Sequence, residues 1–217
     1  MAILDIHLYG DPVLRRKASP VSDPASVRAL AADLFETMYA ARGVGLAAPQ
    51  VGRSVRLFVV VEVVEEEPDD SATGPADEAG TPPGDAERAG PAGGAEPESP
   101  RPIVLRELAM INPVILERSG SQLDPAEGCL SIPGVTGRVE RAECVVVRYQ
   151  DPEGRTQTLT AEGYLARAVE HELDHLDGVL FIDRLDPDEL AEQRDTLAEL
   201  QRETRLRLRE LERSRRA

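Results

Sequence analysis

Glu170-His-Glu-Leu-Asp-His-Leu-Asp-Gly178 carries two imidazoles four residues apart with a carboxylate, Glu172, between them. On a helix, His171 and His175 project from the same face, close enough to hold one metal ion, and Glu172 can reach a water beside it. The plainer reading is two polar residues on a solvated helix, but His7 is the only other histidine in the chain. At about 100° per residue, Leu165, Val169, Leu173, Leu176 and Leu180 form one stripe, and the histidines centre roughly 135° away from it. The spacing therefore predicts a helix from about Gly163 to Asp177 with a core face and a separate metal face, a pattern suited to hydrolytic metal chemistry.

A catalytic metal usually has three protein ligands and one open position. Glutamates follow the motif from Glu189 onward, so a downstream carboxylate ligand of the metalloprotease kind stays open. Upstream, Asp124-Pro-Ala-Glu-Gly-Cys-Leu-Ser131 places Cys129 in a Pro/Gly-punctuated segment between two strand-like runs. Read alone, Cys129 is a small buried thiol. Beside two imidazoles it makes a credible site for zinc, iron(II), nickel or cobalt, with the sulfur kept deprotonated by the ion.

Gly43-Val-Gly-Leu-Ala-Ala-Pro-Gln50 is the third segment. Alone it reads as a tight turn after a helix that ends at Arg42, with Gly43 as the stop. Taken in order with Glu-Gly-Cys-Leu-Ser and His-Glu-x-x-His, it resembles the peptide deformylase family, whose three motifs are complete here. The resemblance runs from Asp11-Pro-Val-Leu-Arg-Arg to Phe181-Ile-Asp-Arg-Leu185 with one large interruption.

That family removes the formyl group from the formyl-methionine of new polypeptides, releasing formate. The resemblance implies Cys129, His171 and His175 as metal ligands and Glu172 as general acid/base. It further implies that the Gln50 amide and the Leu130 backbone N–H stabilise the oxyanion, and that Gly45 and Val44 contact the substrate. The implied cofactor is one divalent ion, iron(II) in the cell, with zinc, nickel or cobalt accepted by the same donors. A formamide is a poor electrophile, so acidified water and preorganised donors for the developing negative oxygen are the chemistry required. Two positions depart from the usual pattern. Glu170 stands where glutamine is common and is expected to add negative charge beside the metal helix, altering metal affinity. Thr136 stands about where some relatives carry a basic residue that meets the peptide beyond methionine.

At 217 residues and 41% hydrophobic, the chain is long enough for one catalytic domain with a sizeable core. Two cysteines, one assigned to metal, give no reason to expect a disulfide. The beginning of the sequence lacks a secretory pattern and no run reaches the length of a membrane span, so the expectation is a cytoplasmic protein with no membrane or DNA partner.

The expected fold is α+β, a single domain with antiparallel strands around the central metal helix plus a C-terminal helix. Asp23 and Pro24 signal the start of a first helix bearing Val27, Leu30, Ala31, Leu34 and Met38. Strands are expected at Val55 to Val64, one or two more within Ile103 to Arg118 broken around Asn112-Pro113, and at Glu143 to Tyr149 and Arg155 to Thr160 about an Asp151-Pro-Glu-Gly154 turn. The catalytic domain is placed at 1–185, interrupted by an acidic insertion at 65–102 whose Pro, Gly, Ala, Glu and Asp cannot bury a core and which reads as disordered. From Glu65 to Glu98 it holds eleven acidic residues against one arginine, so most of the chain's net −15 belongs there. Residues 186–217 form an amphipathic basic helix, started by Asp186-Pro-Asp-Glu189 and carrying Leu190, Leu197, Leu200, Leu208 and Leu211. Arg202 to Ala217 has seven arginines against three glutamates. A solvated helix end and attachment to ribosomal RNA are the two readings of that charge.

Two rival functions are discriminated by the motifs. A zinc peptidase would share His171, Glu172 and His175 but has no use for Gly43 to Gln50 or for Cys129. A catalytically idle relative would have lost a ligand or Gln50, and neither is lost.

Overall fold

Leu57-Phe-Val-Val-Val61 is apolar without alternation because both faces of its strand are covered. Leu57, Val59 and Val61 pack with helix α1 (Arg28–Ala40), while Phe58 and Val60 pack with helix α2 (Gly163–Asp177) on the other side. The computed structural model describes residues 2–64 and 103–216, and the insertion expected at 65–102 lies outside the described residues.

Five strands form the main sheet in the order β1 (Gly45–Ala47), β2 (Leu57–Val64), β3 (Ile103–Ser119), β6 (Cys144–Gln150) and β7 (Thr156–Glu162), every neighbouring pair antiparallel. Strands β4 (Glu127–Cys129) and β5 (Ile132–Gly137) make a separate hairpin. Two more helices follow, α3 (Pro187–Glu192) and α4 (Arg194–Arg216). This is a single-domain α+β arrangement with antiparallel strands around α2, as the sequence leads one to expect. A third cluster, including Leu14, Ile132, Phe181, Leu185 and Leu197, fastens the hairpin and the start of α4 to the segment that follows α2. No helix among the described residues is long and apolar enough to cross a membrane.

Several local expectations need correction. Asp23 caps a 3-10 turn, Pro24–Val27, rather than α1 itself; its side chain accepts the Ala25 N–H at 3.0 Å, and the α-helix begins only at Arg28. Of the one or two strands left open within Ile103 to Arg118, the structure has one, β3, which runs through the expected break. Asn112, at φ 51, takes up a register shift between Ile111 and Val114, and its side-chain amide holds both backbone groups of Val21 at 2.8 and 2.9 Å. The bulge puts Pro113 where no ladder donor is needed. Leu180 lies beyond α2, which stops at Gly178, and packs in the third cluster instead of continuing the helical stripe. The single helix expected from Asp186 is interrupted at Gln193, although Asp186 does accept the Asp188 N–H as its cap.

The end of α1 differs most usefully. Gly43 N–H donates to Met38 O and Arg42 N–H to Tyr39 O, the paired bonds of a Schellman stop. The left-handed residue is therefore Arg42, at φ 57, and not Gly43. A side chain in that conformation costs on the order of 1 kcal/mol. At position 43 an added Cβ would lie 2.8 Å from Leu130 Cδ1, a contact that a shift of that side chain relieves.

Candidate active site

α2 runs between the main sheet and the β4–β5 hairpin, which explains why ten of its fifteen residues are buried, His171, Glu172 and His175 among them. Cys129 ends β4, and a two-residue turn at Leu130-Ser131 returns the chain so that Cys129 pairs with Ile132. The metal-binding donor atoms of Cys129, His171 and His175 all lie within 4.8 Å of one another. Cys129 Sγ is 3.2 Å from His175 Nε2. Bonds of about 2.0–2.3 Å to a four-coordinate ion set neighbouring donors roughly 3.3–3.6 Å apart, so the Cys129–His175 pair is already near that spacing.

The imidazoles are prepared for the role. His171 Nδ1 faces Glu127 Oε2 at 2.8 Å, which fixes the ring and leaves Nε2 for the site. Burial disfavours charge on His171, but its bonds to Cys129 and Glu127 outweigh that and raise its pKa well above the ordinary value. His175 goes the other way, held well below its ordinary value by burial and by His171. The chemistry of the donor set and its spacing both fit one borderline-soft divalent ion.

Glu172 stands beside this trio but is not part of it. Burial pushes its carboxyl up to about 7. Its Oε2 is buried without a protein partner, while Oε1 lies against Gly45, where an added Cβ would overlap it. Glycine at position 45 is thus required by the approach of the Glu172 carboxylate, a reason the sequence alone did not supply. Gln50 is buried, and its side-chain orientation is fixed: Oε1 accepts the Ala47 N–H at 2.8 Å, so the NH₂ points the other way, 3.2 Å from Ser131 Oγ and 3.5 Å from Cys129 Sγ. These groups open into a cleft of ≈ 370 Å³, lined by Val44, Gly45, Leu130, Ile132, Tyr164 and Ala168 among others, with Thr136 also on its wall.

The site residues inferred from sequence line this cleft except His175, whose Nε2 lies behind it 3.2 Å from Cys129 Sγ. Glu189, the downstream carboxylate left open as a ligand, is elsewhere and accepts the Arg138 N–H at 2.9 Å. Glu170 does not place its charge at the metal site. Its two oxygens accept from Arg118 Nε at 2.7 Å and the Ala142 N–H at 2.8 Å, tying α2 to the sheet. What sequence reasoning missed is Glu127, which besides holding His171 accepts from Arg141 Nε and Nη2 at 2.7 and 2.9 Å and from Arg167 Nη1 at 3.1 Å. These bonds overcome the burial that would raise its pKa and hold its carboxyl at about 2. One signal was available, since residues two apart on a strand share a face and Glu127 is two before Cys129.

Comparison with known proteins agrees with this geometry. The family profile described as polypeptide deformylase matches residues 3–191. A peptide deformylase of Thermus thermophilus is 45% identical over 214 residues, covering 96% of this chain and 98% of its own length. One of Dictyoglomus thermophilum is 43% identical over 183 residues, covering 84% and 92%. Among solved structures, a Thermus thermophilus peptide deformylase superposes with TM-score 0.70 at 41% identity, over 93% of this chain and 99% of that one. The Synechococcus elongatus enzyme, crystallised with actinonin, gives TM-score 0.65 at 39% identity over 90% and 88%. With a matching profile across most of its length, relatives well above a third identical and the three motifs assembled around one cleft, the chain belongs to the peptide deformylase family, whose members are metallohydrolases.

Proposed function

We propose that the protein deformylates the formyl-methionine of nascent chains with Cys129, His171 and His175 as metal ligands, Glu172 as general acid/base, and Gln50 Nε2 and the Leu130 N–H as oxyanion donors. The observation that carries this assignment is the Gln50 amide, turned by Ala47 so that its donors face Cys129 beside the unpartnered Glu172 oxygen. A divalent cation held by the three donors supplies Lewis acidity that makes water a usable nucleophile near neutral pH. Glu172 takes the proton from the attacking water and returns it to the departing amine. Gln50 and Leu130 donate to the oxygen that gains charge; Leu130 is suited because the first N–H of a two-residue hairpin turn is not used by the ladder. Val44, just before β1, and Gly45, at its start, line the cleft, and β1 is an edge strand among the described residues, which supports reading both as contacts to the substrate backbone.

We read iron(II) as the cellular ion on the family resemblance, while the donor set itself accepts zinc, nickel and cobalt as well. Formate release from formyl-Met-Ala-Ala, set against cleavage of unblocked Met-Ala-Ala, tests the activity. Chelation is expected to abolish formate release and anaerobic iron(II) to restore it. Cleavage of the unblocked peptide without formate would make the protein a peptidase.

Residues 1–185 are read as the catalytic unit acting in the cytoplasm, and 186–217 as an accessory segment that docks on the ribosome. Arg205, Arg207, Arg209 and Arg213 are exposed on α4, past Thr204, the last buried residue among those described on that helix, and Leu211 is 47% exposed. Arginines in such a row neutralise phosphates and release counterions. Replacing Arg205, Arg209 and Arg213 with Gln is expected to weaken ribosome co-sedimentation and flatten its salt dependence. Unchanged sedimentation at low salt would remove this part of the reading.

A further inference from the structure

We propose that Arg42 is a specificity-determining residue that favours formylated peptides carrying acidic side chains in the three positions after methionine. The inference rests on the deformylase reading of the cleft and adds a charge preference to it.

The backbone is the first observation. Arg42 occupies the left-handed position of the helix stop, at φ 57, where glycine is the residue of least strain. A long cationic side chain kept at such a position calls for a use, and its neighbours indicate one. Arg42 lines the cleft and is exposed, and no side chain among the described residues forms an ion pair or hydrogen bond with its guanidinium. The other charged side chains lining the cleft are buried: Glu127 and Arg167 are bonded to each other, and His171 and Glu172 belong to the reacting centre. Thr136 and Tyr164 leave the remaining wall uncharged. Among the described lining residues, Arg42 is the exposed cation at the mouth.

Its position relative to the reacting centre gives the register. Arg42, Gly43, Val44 and Gly45 are consecutive in the wall, and Gly45 lies against the Glu172 carboxylate. Three residues span at most about 10–11 Å of chain. The formyl end of a substrate must sit at the buried centre, so its first residues leave along this wall. A peptide extended at about 3.3 Å per residue brings the residues after methionine within reach of a guanidinium at the wall's outer end.

The whole-chain charge makes the test discriminating. A net charge of −15 would by itself favour basic peptides, so a preference for acidic ones has the sign of Arg42 and not of the overall field. The metal-loaded protein is assayed with C-terminally amidated formyl-Met-Xaa-Xaa-Xaa peptides in which Xaa is Asp, Asn or Lys. At about 20 mM salt, kcat/KM for the Asp peptide is expected to exceed that for the Lys peptide about two- to fivefold, the range of an exposed ion pair, and the ratio should fall towards one at about 500 mM. Arg42→Gly suits the left-handed backbone and removes only the side chain, so it should abolish the preference; Arg42→Glu should invert it. Equal rates or a Lys preference in the native protein at low salt would overturn the proposal, as would an undiminished ratio in Arg42→Gly. Hydrolysis with no charge preference refutes this inference alone. Failure to release formate from any of the three peptides refutes the deformylase reading and this one with it.

Discussion

Glu172→Gln is expected to keep a full complement of metal while slowing formate release by roughly 10²–10⁴-fold, the usual loss when a general acid/base is removed. The two halves of that expectation come from different observations. Metal is retained because the donors that converge are Cys129 Sγ and the two imidazoles, with Glu172 outside their cluster. Turnover falls because Glu172 is the group with proton-transfer capacity at the centre: buried, pushed up to about 7, and with Oε2 unpartnered. Glutamine keeps the shape that fits against Gly45 but cannot accept the proton. Metal analysis and single-turnover formate release on the same preparation check both halves. Loss of metal would recast Glu172 as a ligand or its support. Near-normal turnover would move the base elsewhere, but Glu170 is not the candidate that its neighbouring position suggests, because both its oxygens are bonded to Arg118 and Ala142.

The contrast between Glu172 and Glu170 also shows what sequence can and cannot carry. Helical spacing places His171 and His175 on one face and puts Glu172 near them, because that geometry is local and fixed by the helix itself. Likewise α2 could be bounded correctly at Gly163 and Asp177 from its pattern. Where a side chain goes once it leaves the helix is decided by elements distant in the chain. Arg118 and Ala142 lie 52 and 28 residues from Glu170, and no periodicity reports them. The same holds at a glycine. Gly45 invites a conformational reading, yet it is set by Glu172, which arrives from another element. Position 42 was hidden for the complementary reason, since arginine is not the residue one assigns to a left-handed turn. At Asn112-Pro113 a proline that reads as a strand break is absorbed by a bulge, which only the register with β2 and β6 can reveal.

Glu127→Ala should have the largest structural effect, because one carboxylate is shared by three partners. It accepts from Arg141 and Arg167, which are both buried, and it orients His171. Removing one member of a buried ion pair typically costs about 3–5 kcal/mol, since the remaining charge is left in a medium that solvates it poorly. Here the lower end is expected. Arg141 retains Asp174 Oδ2 at 2.6 Å, and Arg167 retains the carbonyls of Val139, Gln122 and Asp124 at 2.8, 3.1 and 3.3 Å. A loss of about 3 kcal/mol corresponds to a fall of roughly 6–12 °C in Tm for a domain of this size. Measured on the chelated protein, that fall isolates packing from metal binding. A separate metal titration should then show affinity reduced about 10- to 100-fold, because His171 loses the bond that fixes its ring and tautomer. The two effects can be pulled apart with Glu127→Gln, which can still accept a bond from His171 but no longer neutralises two guanidinium groups. If Glu127 acts as the geometry indicates, Glu127→Gln recovers metal affinity more fully than it recovers the melting temperature of the chelated form. Unchanged stability in the chelated Glu127→Ala protein would mean that the backbone carbonyls and Asp174 suffice for the arginines, leaving Glu127 as an orienting group for His171 alone.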